Sequence, residues 1–214
     1  TANETSNDSA AATTATTEQI AVNPLKDCFF GDLHLHTAFS ADANFFGATL
    51  LPEDAYKYAM GEEVMYMGQK VKRLAPLDFL AVTDHAEYLG AIVAVRDPNG
   101  PYAGTELYRQ YTSKDQKEVA KSFADFVAEM AANKPNPELN KPDVAKSAWQ
   151  KVIDAANASN KPGKFTALVG YEWTSAPVNT AKNAQNLHRC IIFKGDKVPD
   201  LPFSSFDSND PENL

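Results

Sequence analysis

Four histidines are the whole imidazole complement of the 214-residue chain, and each falls at or near the end of a predicted strand. His34 and His36 stand one residue apart in "GDLHLHTAFSADA", with Asp32 before them and Asp42 six positions after the second. On a strand, residues two apart project to one face, so both imidazoles can meet one ion. Imidazole suits zinc, manganese and iron, and Asp42 could add a hard oxygen ligand. Asp32 is placed to orient a ring, as carboxylates do for metal-binding histidines. By itself an HxH pair is weak evidence, since a lone histidine is more often a core or surface residue.

Three further stretches strengthen it. "LDFLAVTDH" ends the most hydrophobic strand of the chain in Asp84 and His85, where α/β proteins place chemistry. Asp84 reads equally well as a helix cap; His85 has no such explanation. In "VGYEWT", Glu172 follows an apolar run and sits between two aromatics. A carboxylate there is costly unless paired or metal-bound, the alternative being an exposed strand end. "NLHRC" brings His188 and Arg189. Arg189 could hold a phosphate or carboxylate, but strand alternation puts it on the face opposite His188. Nucleophile chemistry fits less well: there is no G-x-S-x-G elbow, no glycine-rich phosphate loop, and nothing activates Cys190.

The elements that must carry these residues alternate. Residues 1–22 are rich in Thr, Ala, Ser and Asn and read as a disordered leader, of the kind left after a secretory signal is removed; a periplasmic or secreted location is expected. From residue 23 the chain reads as one structured unit. "CFFGDLHLH" reads as a short buried strand, and "LPEDAYKYAMGEE" as a helix with Pro52 at its start. Phe123, Phe126, Val127 and Met130 are spaced for one helix face. "DVAKSAWQKVIDAANAS" reads as a helix capped by Asp143. "KFTALVGYEW" and "NLHRCIIFKGD" read as strands. This order predicts an α/β fold with a largely parallel sheet or barrel. At the end, "DSNDPENL" announces a helix with Asp210 as cap and Pro211 in first position, so the chain reads as the N-terminal part of a longer protein.

The formal net charge of −8, with no basic block, argues against nucleic acid or an anionic membrane as partner. An anionic small-molecule substrate stays open, because bound metal reverses the local field. No apolar run approaches the ~20 residues of a transmembrane helix. Cys28 and Cys190 could pair if their strands are neighbours; free buried thiols are the favoured reading.

Taken in order, "DLHLHTAFSADA", "FLAVTDHAEYLG", "LVGYEWT" and "NLHRCIIF" resemble the early motifs of the PHP (polymerase and histidinol phosphatase) superfamily. "TDHAEYLG", "GYEWTS" and "NLHR" look like its uncharacterised branch called domain of unknown function 3604. The resemblance implies a distorted (β/α)7 barrel with a two- or three-metal centre at the C-terminal strand ends, of which this chain holds the N-terminal part. Carried over, it places His34 and His36 on a first metal, and Glu172 bridging first and second. His188 falls on the second, and Asp42 and His85 on a third. Asp32 and Asp84 are expected behind these six as orienting groups. The family's remaining ligands, a histidine and an aspartate–histidine pair, would come from the rest of the parent protein, which is thereby an expected partner.

Such a centre implies a hydrolase using water activated by two or three Zn, Mn or Fe ions, with phosphoester cleavage as the leading reading. Hydrolysis of an amide, lactone or sulfate ester uses the same apparatus. A binding module in which metal only stabilises the fold is the reading from another class, though such sites are usually closed and tetrahedral.

Overall fold

The computed structural model describes residues 23–24, 26–176 and 186–214. The expected leader over 1–22 lies outside them. The architecture is mixed α/β: a four-stranded sheet in the order β1-β4-β5-β6 curls into a half-barrel. Its strands are β1 (Gly31–Asp32), β4 (Phe79–Val82), β5 (Thr166–Ser175) and β6 (Leu187–Phe193). A separate antiparallel hairpin, β2 (Val64–Tyr66) and β3 (Gln69–Val71), had no counterpart in the sequence reading. Among the described residues no helix is long and apolar enough to cross a membrane.

β1 pairs with β4, and β4 with β5, in parallel. The β4–β5 crossover carries α3 (Ala91–Arg96), α4 (Glu106–Thr112), α5 (Gln116–Ala132) and α6 (Pro142–Ser159). β6 returns antiparallel, so its first residues lie against the last residues of β5, with Thr174 opposite His188. The sheet is therefore mixed at one edge rather than parallel throughout.

The apolar core falls into two clusters. In the larger, α2 (Pro52–Ala59) and α6 pack on the sheet through Tyr56, Trp149 and Val152 against Leu80, Val82 and Val169. α6 builds this face because Ala148, Trp149, Val152, Ala155 and Ala156 recur at helical spacing. Trp149 is buried and donates its indole N–H to Pro199 O at 2.8 Å. The smaller cluster joins α3, α4 and α5 around Ile92, Tyr111, Phe126 and Met130. Gly90, with φ of 71°, lets α3 start directly against α6: a Cβ there would stand 2.5 Å from that of Ala148.

Some expectations change. "CFFGDLHLH" is not a buried strand. Only Gly31–Asp32 pair, and Phe29, Phe30 and Leu33 are exposed, because β1 is an edge strand with one neighbour. Cys28 and Cys190 are free and exposed, neither paired nor buried. Cys28 stands three residues before β1 and Cys190 within β6, and those two strands are not neighbours. The cap of α6 is Lys141, because Pro142 occupies the first turn and takes Asp143 into the helix. Asp210 does cap as expected, accepting from Glu212 N at the start of a 3-10 turn over Pro211–Asn213.

Candidate metal centre

Parallel strands deliver their following residues to one end of the sheet, and three of the four motifs arrive there this way. His34 and His36 follow β1, His85 follows β4, and Glu172 lies in β5 three residues past the Val82–Val169 pair. A single bridge between His85 and Glu172 extends the β4–β5 ladder to the site. β6 runs the other way, so His188 reaches the same place from its starting end. Asp42 comes from α1 (Ala41–Phe45). That short helix is held by Asn44, which donates to Ala38 O at 2.9 Å and whose side-chain oxygen accepts from Arg96.

The six side chains converge into three overlapping groups whose donor atoms lie within 4.8 Å of one another. The first is His34, His36 and Glu172; the second His36, Asp42 and His85; the third His85, Glu172 and His188. His36, His85 and Glu172 each serve two groups. Glu172 is fully buried while His34 and His188 stand at the rim, with side chains 57% and 38% exposed. Glu172 Oε2 is 2.9 Å from His34 Nε2 and 2.6 Å from His36 Nε2. Its Oε1 lies 2.6 Å from His188 Nδ1 without hydrogen-bond alignment, leaving that buried oxygen without a hydrogen-bond partner among the described residues. Nitrogen and carboxylate donors sharing a buried carboxylate, one oxygen of which is unsatisfied, suit a divalent cation. These groups could hold a metal ion.

Charge at the site is arranged to match. Burial alone would lower the His36 pKa, but hydrogen bonds and charge from Asp42 and Glu172 outweigh it and hold the imidazole at about 10. Burial would raise Asp42; His36 and His85 overcome it and keep the carboxylate well below its usual range. Glu172 shows the same contest, burial against His36, His85 and His34, and settles at about 2. The protonated imidazole and the two carboxylates thus answer one another's charge.

Behind the donors lies a frame of hydroxyls. Thr174 Oγ1 is 2.7 Å from His85 Nδ1 and 2.9 Å from His188 Nδ1. One hydroxyl proton cannot serve both rings as donor, so this oxygen ties their tautomers together. Ser40 Oγ donates to Asp42 Oδ1 at 2.8 Å and accepts from His85 N at 3.2 Å, with His36 Nδ1 at 3.3 Å. Asp84 is buried and accepts from Thr37 N at 2.5 Å and Thr37 Oγ1 at 2.7 Å, which fixes the turn after His36. Burial raises its pKa to about 6 against those hydrogen bonds. It thus orients backbone rather than a ring. Asp32 is exposed on β1 opposite Leu80, and among the described residues its carboxylate contacts no imidazole. Arg189 is exposed on β6 across from Trp173, out of register with the donors.

Sequence reasoning missed Ser40, Thr37 and Thr174, and also Glu87. Glu87 is fully buried; its Oε1 accepts from Ser205 N at 2.6 Å and Thr174 N at 3.3 Å, while Oε2 has no partner among the described residues. The available signal was proximity: Thr37 and Ser40 lie within "HLHTAFS", Glu87 two residues after His85, and Thr174 two after Glu172 on the same strand face.

No curated protein matches the chain, and neither does any solved structure. A family model does, over residues 23–214, the span that contains every donor of the centre; its description is "Protein of unknown function (DUF3604)", and the chain belongs to that family.

Proposed function

We propose that the protein is a metal-dependent hydrolase of the PHP type, acting on an anionic phosphoester through a centre of two or three divalent ions. The supporting observation is the sharing of His36, His85 and Glu172 among three donor groups, an arrangement suited to neighbouring ions rather than one closed structural site. In this reading the half-barrel sheet is part of the superfamily's distorted (β/α)7 barrel, and Zn, Mn and Fe are the ions its donors suit.

Bound divalent ions would acidify water toward neutral pH and neutralise charge developing on phosphoryl oxygens. The chain's own residues do the rest. Glu172, held at the floor by three strands, sets the spacing between neighbouring donor groups. Thr174 and Ser40 hold the His85, His188 and His36 rings in place, and Asp84 locks the Thr37 turn. The exposed rim at His34 and His188 leaves room for an anionic substrate to enter. No protein nucleophile is required.

Metal content and hydrolysis of 4-nitrophenyl phosphate, with the corresponding sulfate and carboxylate esters alongside, test this in the wild type and in His36→Ala. Phosphate ester cleavage lost together with metal in the variant is the expected result. Full phosphatase activity in His36→Ala with unchanged metal content overturns the assignment, and cleavage of only the sulfate or carboxylate ester moves it to another bond.

A further inference from the structure

Beside the donor cluster lies a cavity of about 190 Å³ whose wall does not match its rim. Asp42, His85 and His188 are among its lining, and so are Phe123, Phe126, Val127 and Met130 of α5. Those four residues are the ones whose spacing marked an apolar helix face in the sequence. The smaller core takes up only part of that face: Phe126 and Met130 are buried, Phe123 is half-buried, and Val127 is 47% exposed. Glu87, Thr174, Ala176 and Asn186 complete the lining. A void left by imperfect packing is apolar on all sides; one that joins ligand-type imidazoles and carboxylates to an apolar helix face has the make-up of a ligand pocket.

We propose that this cavity receives the organic part of the substrate, and that this part is apolar, an aromatic ring or a branched chain rather than a sugar or polyol. The inference rests on the metal-centre reading, since Asp42, His85 and His188 fix where the reacting group sits. Its size is in keeping: an apolar cavity of about 150 Å³ accepts a benzene ring. Phenyl rings at the wall offer edge and face contacts to another ring, whereas a polyol would leave its hydroxyls unpaired along α5. Specificity then divides by surface, with the donor cluster taking the anionic group and α5 taking the hydrocarbon.

Paired probes separate this proposal from the phosphoester reading. Hydroxamates chelate the metal whatever bond the enzyme cleaves, so benzohydroxamate and acetohydroxamate differ chiefly in what they offer the wall. Calorimetry on the metal-loaded protein is expected to give benzohydroxamate at least 10-fold tighter binding. In Val127→Asp, at an exposed position outside both apolar clusters, that ratio should fall severalfold with metal content and circular dichroism unchanged. Equal affinities in the wild type, or a ratio untouched by Val127→Asp, overturns the apolar subsite. Phenylphosphonate and methylphosphonate form the second pair. If neither binds while the hydroxamate preference holds, the phosphoester reading fails and the apolar subsite stands. A protein that takes up no metal contradicts both.

Discussion

His36 and Glu172 show how individual residues are forced into their roles. Glu172 is a fully buried carboxylate among imidazoles, so either protons or metal ions must answer its charge. In the metal-free protein the two residues have opposite pH dependences. His36 is raised from 6.5 to about 10, so its contribution to stability is complete below about 6.5 and is lost as pH rises through about 10. Glu172 is lowered from 4.5 to about 2, so its contribution is complete above about 4.5 and is lost as pH falls through about 2. Buried Asp84, raised from 3.8 to about 6, loses stability as pH rises through that range, so chelator-treated protein should melt highest near about pH 4.5. Added metal should move the optimum upward, since ligating histidines must be neutral. Thermal melts across pH with and without chelator check this; a chelated protein whose Tm climbs steadily to pH 8 disagrees. Thr174→Val removes the hydroxyl shared by His85 and His188 while keeping the shape, and should weaken metal binding about 10- to 100-fold in competition titrations. The donors were legible in the sequence because histidine at a strand end is scarce. Ser40, Thr37 and Thr174 were not, since a hydroxyl gives no sign in sequence of which distant ring it will meet.

The elements explain why donors from residues 34 to 188 arrive together. Parallel β1, β4 and β5 all end on one side, and the antiparallel return of β6 carries His188 back to it. That return could not be read from the sequence, because a short apolar strand looks alike in either direction and only its partner decides. β4 was legible because "FLAV" is covered on both faces. The strand expected in "CFFGDLHLH" shrank to two residues because hydrophobic residues at a sheet edge find cover on one side only. Two substitutions test the packing that supports the sheet. Trp149→Ala empties the centre of α6's apolar face and abandons the bond to Pro199, so it should cost about 3–5 kcal/mol in denaturant unfolding. Gly90→Ala places a Cβ against Ala148 in a left-handed backbone conformation and should cost about 1–3 kcal/mol by the same measure. A loss under about 0.5 kcal/mol in either, the range of an ordinary surface change, would mean that α6 and α3 are not seated as described.

At the scale of the whole molecule, a sheet that curls and two apolar clusters hold one charged end open to solvent. Family membership over residues 23–214 covers the whole of that arrangement, and the ordered motifs made it legible in the sequence. The cavity beside α5 was not legible, because its apolar wall and the donors Asp42, His85 and His188 are distant along the chain and come together only through the crossover helices. Each ion bound only by the folded chain stabilises it by about 2.7 kcal/mol at a free concentration 100 times its Kd. At about 2–4 °C per kcal/mol for a chain of this size, metal loading should raise Tm by roughly 5–10 °C for each ion bound. The most direct test of the central claim, that a shared buried carboxylate joins neighbouring ions, is metal stoichiometry by inductively coupled plasma mass spectrometry after dialysis of wild type and Glu172→Gln. Two or more ions per wild-type chain, falling by at least one in Glu172→Gln with the fold intact by circular dichroism, is the predicted result, since only the His36, Asp42 and His85 group lacks Glu172. Wild-type protein holding no divalent ion, or a Glu172→Gln variant that keeps the full number, would contradict it.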